Sequence, residues 1–185
     1  YMKIYTKKGD KGKTSIIGKS GLYKHDDRID AYGTVDELNT YLGLLRSFPN
    51  VKQTKYNDII IELQKQLFKL GSYLAQSDYK QVKNTNILIT ESEILKIENE
   101  IDQISKELPV LKSFVLNGGE IISSHIQLAR TICRRSERKL TIVHQKYQID
   151  TIWLVFINRL SDFLFVLGRY FLNKSGEKEF YWKGT

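Results

Sequence analysis

The sequence predicts an all-α fold, a bundle of five helices, on three observations. Apolar residues recur at three- and four-residue spacing through five separate stretches. Only two prolines occur, Pro49 and Pro109, and each falls where such a stretch stops. Two-residue alternation is sustained nowhere except, briefly, in the last few residues. With 41% hydrophobic and 27% charged residues, the 185-residue chain is globular in composition. One domain of that size buries about 70% of the surface its unfolded chain exposes.

The first helix opens at Asp26 or Asp27, acidic residues suited to a helix start, and runs to about Ser47. Ala31, Val35, Leu38, Leu42 and Leu45 form its stripe, and Pro49 with Asn50 ends it. The second runs from about Lys55 to Gln76 through Ile59, Ile60, Leu63, Leu67, Leu70 and Leu74. Residues 78–89 read as a polar loop. Thr90-Glu91-Ser92-Glu93 then makes a capping box for a third helix carrying Ile94, Ile97, Ile101 and Ile104, which stops before Pro109. After the loop Phe114-Val115-Leu116-Asn117-Gly118-Gly119, a fourth helix reaches about Gln145 through Ile122, Leu128, Ile132, Cys133, Leu140 and Val143. The fifth spans about Thr151 to Leu172, and its broad apolar set (Ile152, Phe156, Leu160, Phe163, Leu167, Tyr170) belongs at the bundle centre. The expected division is an N-terminal loop over 1–25, the bundle over 26–172 and a tail over 173–185.

A net charge of +8 calls for an anionic partner, for which nucleic acid, a membrane surface and a nucleoside triphosphate all qualify. The single cysteine, Cys133, excludes an internal disulfide and suits a reducing compartment. No apolar run approaches the roughly 18 residues of a membrane span, and no signal-peptide core precedes the first helix. A cytoplasmic protein without membrane contact is the expectation. His25, His125 and His144 lack zinc spacing, and His125 reads as a hydrogen-bonded core histidine. No nucleophile elbow, Ser–His–Asp order or carboxylate dyad is present. The chain is equipped to hold an anion, not to shuttle protons.

Two regions carry that capacity. Residues 4–15 combine Gly9 and Gly12 with Lys7, Lys8, Lys11 and Lys13 and the hydroxyls of Thr6, Thr14 and Ser15. Such a mixture suits a polyphosphate, because glycines let backbone N–H groups approach while lysines supply charge. Gly12-Lys13-Thr14 imitates the end of a P-loop, but the first glycine of that pattern would have to be Lys7, and too little chain precedes it for the buried strand. The segment is therefore a nucleotide loop of another kind, or else a solvated basic tail. On the fourth helix Arg130, Arg134 and Arg138 stand four apart on one face, flanked by Arg135 and Glu137. On the fifth, Asn158, Arg159 and Asp162 interrupt an apolar run. Either Asn158 or Asp162 pairs with an arginine of the fourth helix as structural glue, or Asn158 points at a ligand beside Arg134 and Arg138.

Four stretches then converge: Ile4–Gly12, Ala31–Asn39, Ala129–Arg138 and Phe156–Phe163. Together, in that order, the chain from residue 2 to about 172 resembles the PduO-type ATP:cob(I)alamin adenosyltransferases. The resemblance implies a homotrimer with active sites between subunits, moving the 5′-deoxyadenosyl group of ATP to the cobalt of reduced cobalamin and releasing triphosphate. By position it implies ATP contacts from Thr6, Lys7, Lys8, Gly9, Thr14, Ser15 and Lys24 of one subunit, and from Arg134, Arg135, Glu137, Arg138 and Asn158 of the next. Asp36 and Arg130 match a salt bridge across the subunit boundary. Phe114 matches the aromatic residue closing the lower face of the corrin, and with Arg134 and Asn158 makes up the implied catalytic set. Mg²⁺ is expected through the ATP phosphates rather than on protein ligands, and the N-terminal loop is expected to order on nucleotide binding. A reductase and a cobalamin-dependent enzyme are implied partners. Glu137 within the arginine column argues against nucleic acid. Two positions depart from the family pattern: Lys8 replaces a common threonine or asparagine, and Asn117 a proline before the two glycines.

Overall fold

The computed structural model describes residues 3–5 and 7–183. Its helices are α1 (Asp27–Arg46), the single turn α2 (Pro49–Lys52), α3 (Tyr56–Leu74), α4 (Glu91–Lys106), α5 (Ile121–Tyr147) and α6 (Ile152–Lys174). The five long ones are the five read from periodicity. The starts of α1, α4 and α5 have a local cause. The Asp26 carboxylate accepts from the Arg28 N–H at 3.0 Å, Glu93 reaches back to the Thr90 N–H at 2.9 Å, and Glu120 accepts from the Ser123 N–H at 2.5 Å. Pro49 follows the end of α1 but opens α2, where its missing N–H is one the helix start leaves unused.

α1 packs between α3 and α5, and α6 between α5 and α4. Trp153, Phe156 and Phe163 of α6 are fully buried at the centre, as its broad apolar face requires. Each such ring withdrawn from water contributes about 1.5–3 kcal/mol before entropy. Ser136 of α5 ties the α1–α5 seam by donating to the Thr34 carbonyl at 3.2 Å. The loop over 78–89 contains two 3₁₀ turns, Tyr79–Gln81 and Thr85–Ile87. Among the described residues no helix is long and apolar enough to cross a membrane.

Two small antiparallel pairs add to the helices. β1 (Lys13–Ile16) and β2 (Lys19–Tyr23) form a hairpin where the sequence offered only an irregular loop. Its side chains are mostly exposed, so no apolar alternation marks it. The hairpin is moored to the end of α3: the Ile17 N–H donates to the Ala75 carbonyl at 2.7 Å and the Ser77 N–H to the Ile17 carbonyl at 3.0 Å. Gly18 turns the chain at φ 80°, and a Cβ there would lie 2.5 Å from the Ser77 Oγ. β3 (Val115–Leu116) pairs with β4 (Phe180–Tyr181), within the terminal residues whose alternation was visible.

Candidate functional site

The N-terminal face is built by backbone. Lys7 adopts a left-handed φ of 58°. The Gly12 N–H donates to the Gly9 carbonyl at 3.2 Å, and the Lys24 N–H to the Gly12 carbonyl at 2.9 Å. A Cβ on Gly9 would stand 3.3 Å from the Lys24 Nζ, so the ammonium lies directly over the glycine. Gly9 and Lys24 are thus brought together, with Lys8 exposed beside them. Thr6 lies outside the described residues. Thr14 and Ser15 line a cavity of about 360 Å³ between β1, α1 and α3, together with Arg28, Asp36 and Asn39. Arg28 is buried, gripped by both Asp26 oxygens at 3.0 Å and stacked 4.5 Å from the Tyr147 ring. The side-chain hydrogen bond between them holds the Asp26 carboxyl below its usual range and raises Arg28. Asn39 is buried, and its Oδ1 has no hydrogen-bond partner among the described residues.

The second face joins α5 to α6 through side chains. Glu137 stands 4.0 Å from the Arg134 Nη1 and accepts from the Asn158 Nδ2 at 3.0 Å. Arg138, one turn beyond Arg134, is exposed. Arg159 binds Glu98 of α4 at 2.7 Å and Asp162 at 3.1 Å. The glue reading is therefore corrected: neither Asn158 nor Asp162 takes an arginine of α5. Asp162 is claimed by Arg159 three residues earlier on its own helix, and Asn158 donates to the carboxylate of Glu137 while accepting from the Arg159 Nη1 at 3.4 Å. Arg135 turns away from Arg134 and Arg138 and pairs with Glu37 of α1. Between the helices Cys133 donates to the Ile157 carbonyl at 3.3 Å, and burial pushes its thiol far up, so it is inert packing.

Phe114 is 77% exposed on the loop before α5. It shares a cavity of about 560 Å³ with Asn117, Arg130 and Phe165. Arg130 donates to the Gln127 Oε1 at 2.7 Å and lies 5.8 Å from the Phe165 ring centre. Burial, followed by the charge of Arg134, lowers its pKa. The loop re-enters the helix through Gly118 and Gly119 at φ 140° and 93°, backbone that Asn117 precedes without a proline.

Two groupings result. Gly9, Thr14, Ser15 and Lys24 gather at α1 and α3, while Arg130, Arg134, Glu137, Arg138, Asn158 and Phe114 follow α5 and α6. Among the described residues no hydrogen bond or ion pair joins one grouping to the other, and none joins Asp36 to Arg130. His125 is hydrogen-bonded as expected, with Nδ1 2.7 Å from the Tyr41 hydroxyl, but it is half-buried at the edge of the core rather than within it. The described residues hold no cluster of three His, Cys, Asp or Glu side chains in metal-ligating geometry. Sequence reasoning missed the Arg28–Asp26 clamp, Asn39 and Phe165. Only Asn39 left a signal, as a polar residue next to Leu38 in the apolar stripe of α1.

The family profile for cobalamin adenosyltransferase matches residues 4–171. The corrinoid adenosyltransferase of Bacillus subtilis (strain 168) is 37% identical over 182 residues, covering 95% of this chain and 89% of its own length. The human corrinoid adenosyltransferase MMAB is 35% identical over 179 residues, covering 96% of this chain and 72% of its own. Among solved structures, a variant of the PduO-type ATP:corrinoid adenosyltransferase from Lactobacillus reuteri, complexed with cobalamin and ATP, is similar with a TM-score of 0.91 at 37% identity, over 98% of this chain and 100% of that one.

Proposed function

The chain belongs to the cobalamin adenosyltransferase family, and from that premise we propose that it transfers the 5′-deoxyadenosyl group of ATP to the cobalt of cob(I)alamin. The products are adenosylcobalamin and triphosphate. One observation in this chain carries the reading: Arg130 lines the cavity under Phe114 and stands one turn from Arg134. A cavity with an aromatic rim thereby adjoins an arginine column, as a reaction requires in which the C5′ of ATP must reach a metal held in a flat macrocycle.

The cobalt electron pair attacks C5′, and the C5′–O5′ bond breaks with its electrons leaving on triphosphate. Cob(I)alamin is a strong enough nucleophile to need no protein base. The protein's task is to align the reactants and stabilise charge on the departing triphosphate. Arg134 and Arg138 do the second, with Asn158 and Glu137 fixing the Arg134 side. Lys7, Lys8, Gly9, Thr14, Ser15 and Lys24, with Thr6, hold the nucleotide from a neighbouring subunit, and Arg135 joins once released from Glu37. Two features of the isolated chain favour a homotrimeric site of this kind: the separation of the two groupings, and the buried Asn39 Oδ1 beside Asp36 in the cavity, which has no partner among the described residues. Arg130 of the adjoining subunit supplies the cation for Asp36.

Mg²⁺ fits this site only as a passenger on the phosphates, where the Thr14 and Ser15 hydroxyls are compatible with a largely hydrated ion. Bound there, it neutralises part of the triphosphate charge. Phe114 covers the lower corrin face and favours a cobalamin without its lower ligand. The setting is cytoplasmic, with a reductase upstream and a cobalamin-dependent enzyme downstream. The test is an anaerobic assay of chemically reduced cobalamin: its spectrum should change to that of adenosylcobalamin with ATP and stay unchanged without it. No change with ATP would sink the reading.

A further inference from the structure

The C-terminal residues lie beyond the family match at residue 171, yet they hold the loop that carries Phe114. β3 and β4 pair with Val115 opposite Tyr181 and Leu116 opposite Phe180. Continuing that register, the Trp182 N–H donates to the Phe114 carbonyl at 2.8 Å, and the Ser113 hydroxyl donates to the Trp182 carbonyl at 3.1 Å. Side chains on a strand alternate between faces, so Phe114, Leu116, Phe180 and Trp182 share the outward face and all are exposed. Val115 and Tyr181 turn inward and are half-buried. Phe114 therefore projects from a two-stranded platform, not from a free loop.

The platform has a buried anchor. Arg169 of α6 forks onto Glu179, Nε to Oε1 at 2.5 Å and Nη2 to Oε2 at 3.1 Å. The two side chains are only 8% and 10% exposed. The same Nη2 donates to the Pro109 carbonyl at 2.8 Å, gripping the other end of the segment that leads to Phe114. The Tyr181 hydroxyl donates to Glu179 at 2.6 Å, closing the network onto β4. Arg169 also lies 6.0 Å from the Phe165 ring, a wall of the Phe114 cavity. A bidentate guanidinium–carboxylate pair fixes direction as well as distance.

We infer that Arg169 and Glu179 are positioning residues for the reaction: through β4 they set where Phe114 stands against the corrin. The inference rests on the assignment of Phe114 to the lower corrin face. Burial alone would raise the Glu179 carboxyl, but the hydrogen bonds from Arg169 and Tyr181 hold it below the usual range, so the pair stays charged at neutral pH.

The experiment compares wild type with Glu179→Gln, Phe114→Ala and the double variant. Three readouts apply: amide hydrogen exchange over residues 113–116, kinetics with cob(I)alamin and ATP, and the absorption spectrum of bound cob(II)alamin, which reports its lower ligand. Glu179→Gln should speed exchange in the loop and lower kcat about tenfold, the size of a misplaced positioning group, while KM for ATP holds. Its cob(II)alamin spectrum should move toward the ligand-bound form. In the Phe114→Ala background the same change should add almost nothing, because both act through one side chain. Glu179→Asp, which keeps the charge, should recover part of the loss. If Glu179→Gln unfolds the chain, Trp182→Pro carries the test with Trp182→Ala as its control, since both remove the indole and only the proline also removes the N–H bonded to Phe114. Unchanged exchange, an unchanged spectrum, or equal losses in both backgrounds would overturn the inference. A wild type that makes no adenosylcobalamin would instead defeat the reaction assigned above and leave the exchange result to judge the anchor alone.

Discussion

The two faces assigned to anion binding are made in different ways. At the N-terminal face the groups that would meet phosphate are backbone N–H, flexible lysines and small hydroxyls, and they lie largely in solvent. At the α5–α6 face the groups are side chains bonded across two packed helices, Glu137 linking Arg134 to Asn158. The difference separates two jobs. A bonded constellation on rigid helices is already aimed, so it can favour a transition state without reorganising when charge develops. An exposed loop gains its geometry from its ligand and contributes to binding the ground and transition states alike. The α5–α6 face should therefore govern kcat and the N-terminal face KM.

Arg134→Ala is the most severe way to break that contrast. It removes the guanidinium nearest Glu137 and leaves that carboxylate facing the leaving triphosphate. The loss expected is about 10²–10³ in kcat, the size typical of one preorganised charge-stabilising donor. KM for ATP should move far less. Because Arg134 is an exposed side chain, the melting temperature should hold. A variant with normal kcat and a raised KM would reverse the roles given to the two faces.

A second test concerns the support under the N-terminal face. Asp26 both caps α1 and clamps the buried Arg28, so Asp26→Ala removes a cap and strands a buried cation. The expected cost is about 2–3 kcal/mol, from a lost cap and a broken buried pair together. Denaturant melts measure it. The pH sign follows from the lowered Asp26 carboxyl, whose largest cause is the Arg28 hydrogen bond. A depressed folded-state pKa adds stability that is fully present above the unfolded value and is lost as pH falls through the folded one. Wild type should therefore lose stability below about pH 4, the ordinary aspartate range, more steeply than Asp26→Asn does. Parallel curves would show that ionisation of Asp26 beside Arg28 adds nothing to stability.

How far the sequence could be read follows from what periodicity reports. The five long helices were legible because their stripes face one core, and the Asp26 and Thr90–Glu93 starts because caps are local. The β1–β2 hairpin was hidden because both of its faces are mostly wet, leaving only Gly18 as a sign of a turn. On the site side, the Arg130–Arg134–Arg138 column was visible as a four-residue spacing. Its partners were not, because which carboxylate meets which arginine depends on helix rotation: Glu137 takes Asn158, Glu37 takes Arg135, and Glu98 takes Arg159. The anchor between Arg169 and Glu179 joins residues near in sequence but separated by a reversal of the chain, which no helical or strand period encodes.

The smallest effect tests the loop itself. A Cβ on Gly9 would meet the Lys24 Nζ at 3.3 Å and its Cε at 3.4 Å, so Gly9→Ala forces only the tip of a flexible side chain to give way. Gly9 does not itself need a positive φ, so its backbone accepts alanine. What changes is the place of one ammonium and the closeness with which phosphate can approach the backbone N–H groups. A rise in KM for ATP of about fivefold, close to 1 kcal/mol, with kcat unaltered is the expected outcome of losing uniform binding. In a Lys24→Ala background the share of that penalty due to the displaced ammonium should vanish, leaving only the share due to hindered approach to the backbone N–H groups. If Gly9→Ala lowers kcat instead, the loop is aimed before ATP arrives, and the two faces differ in where they sit but not in what they do.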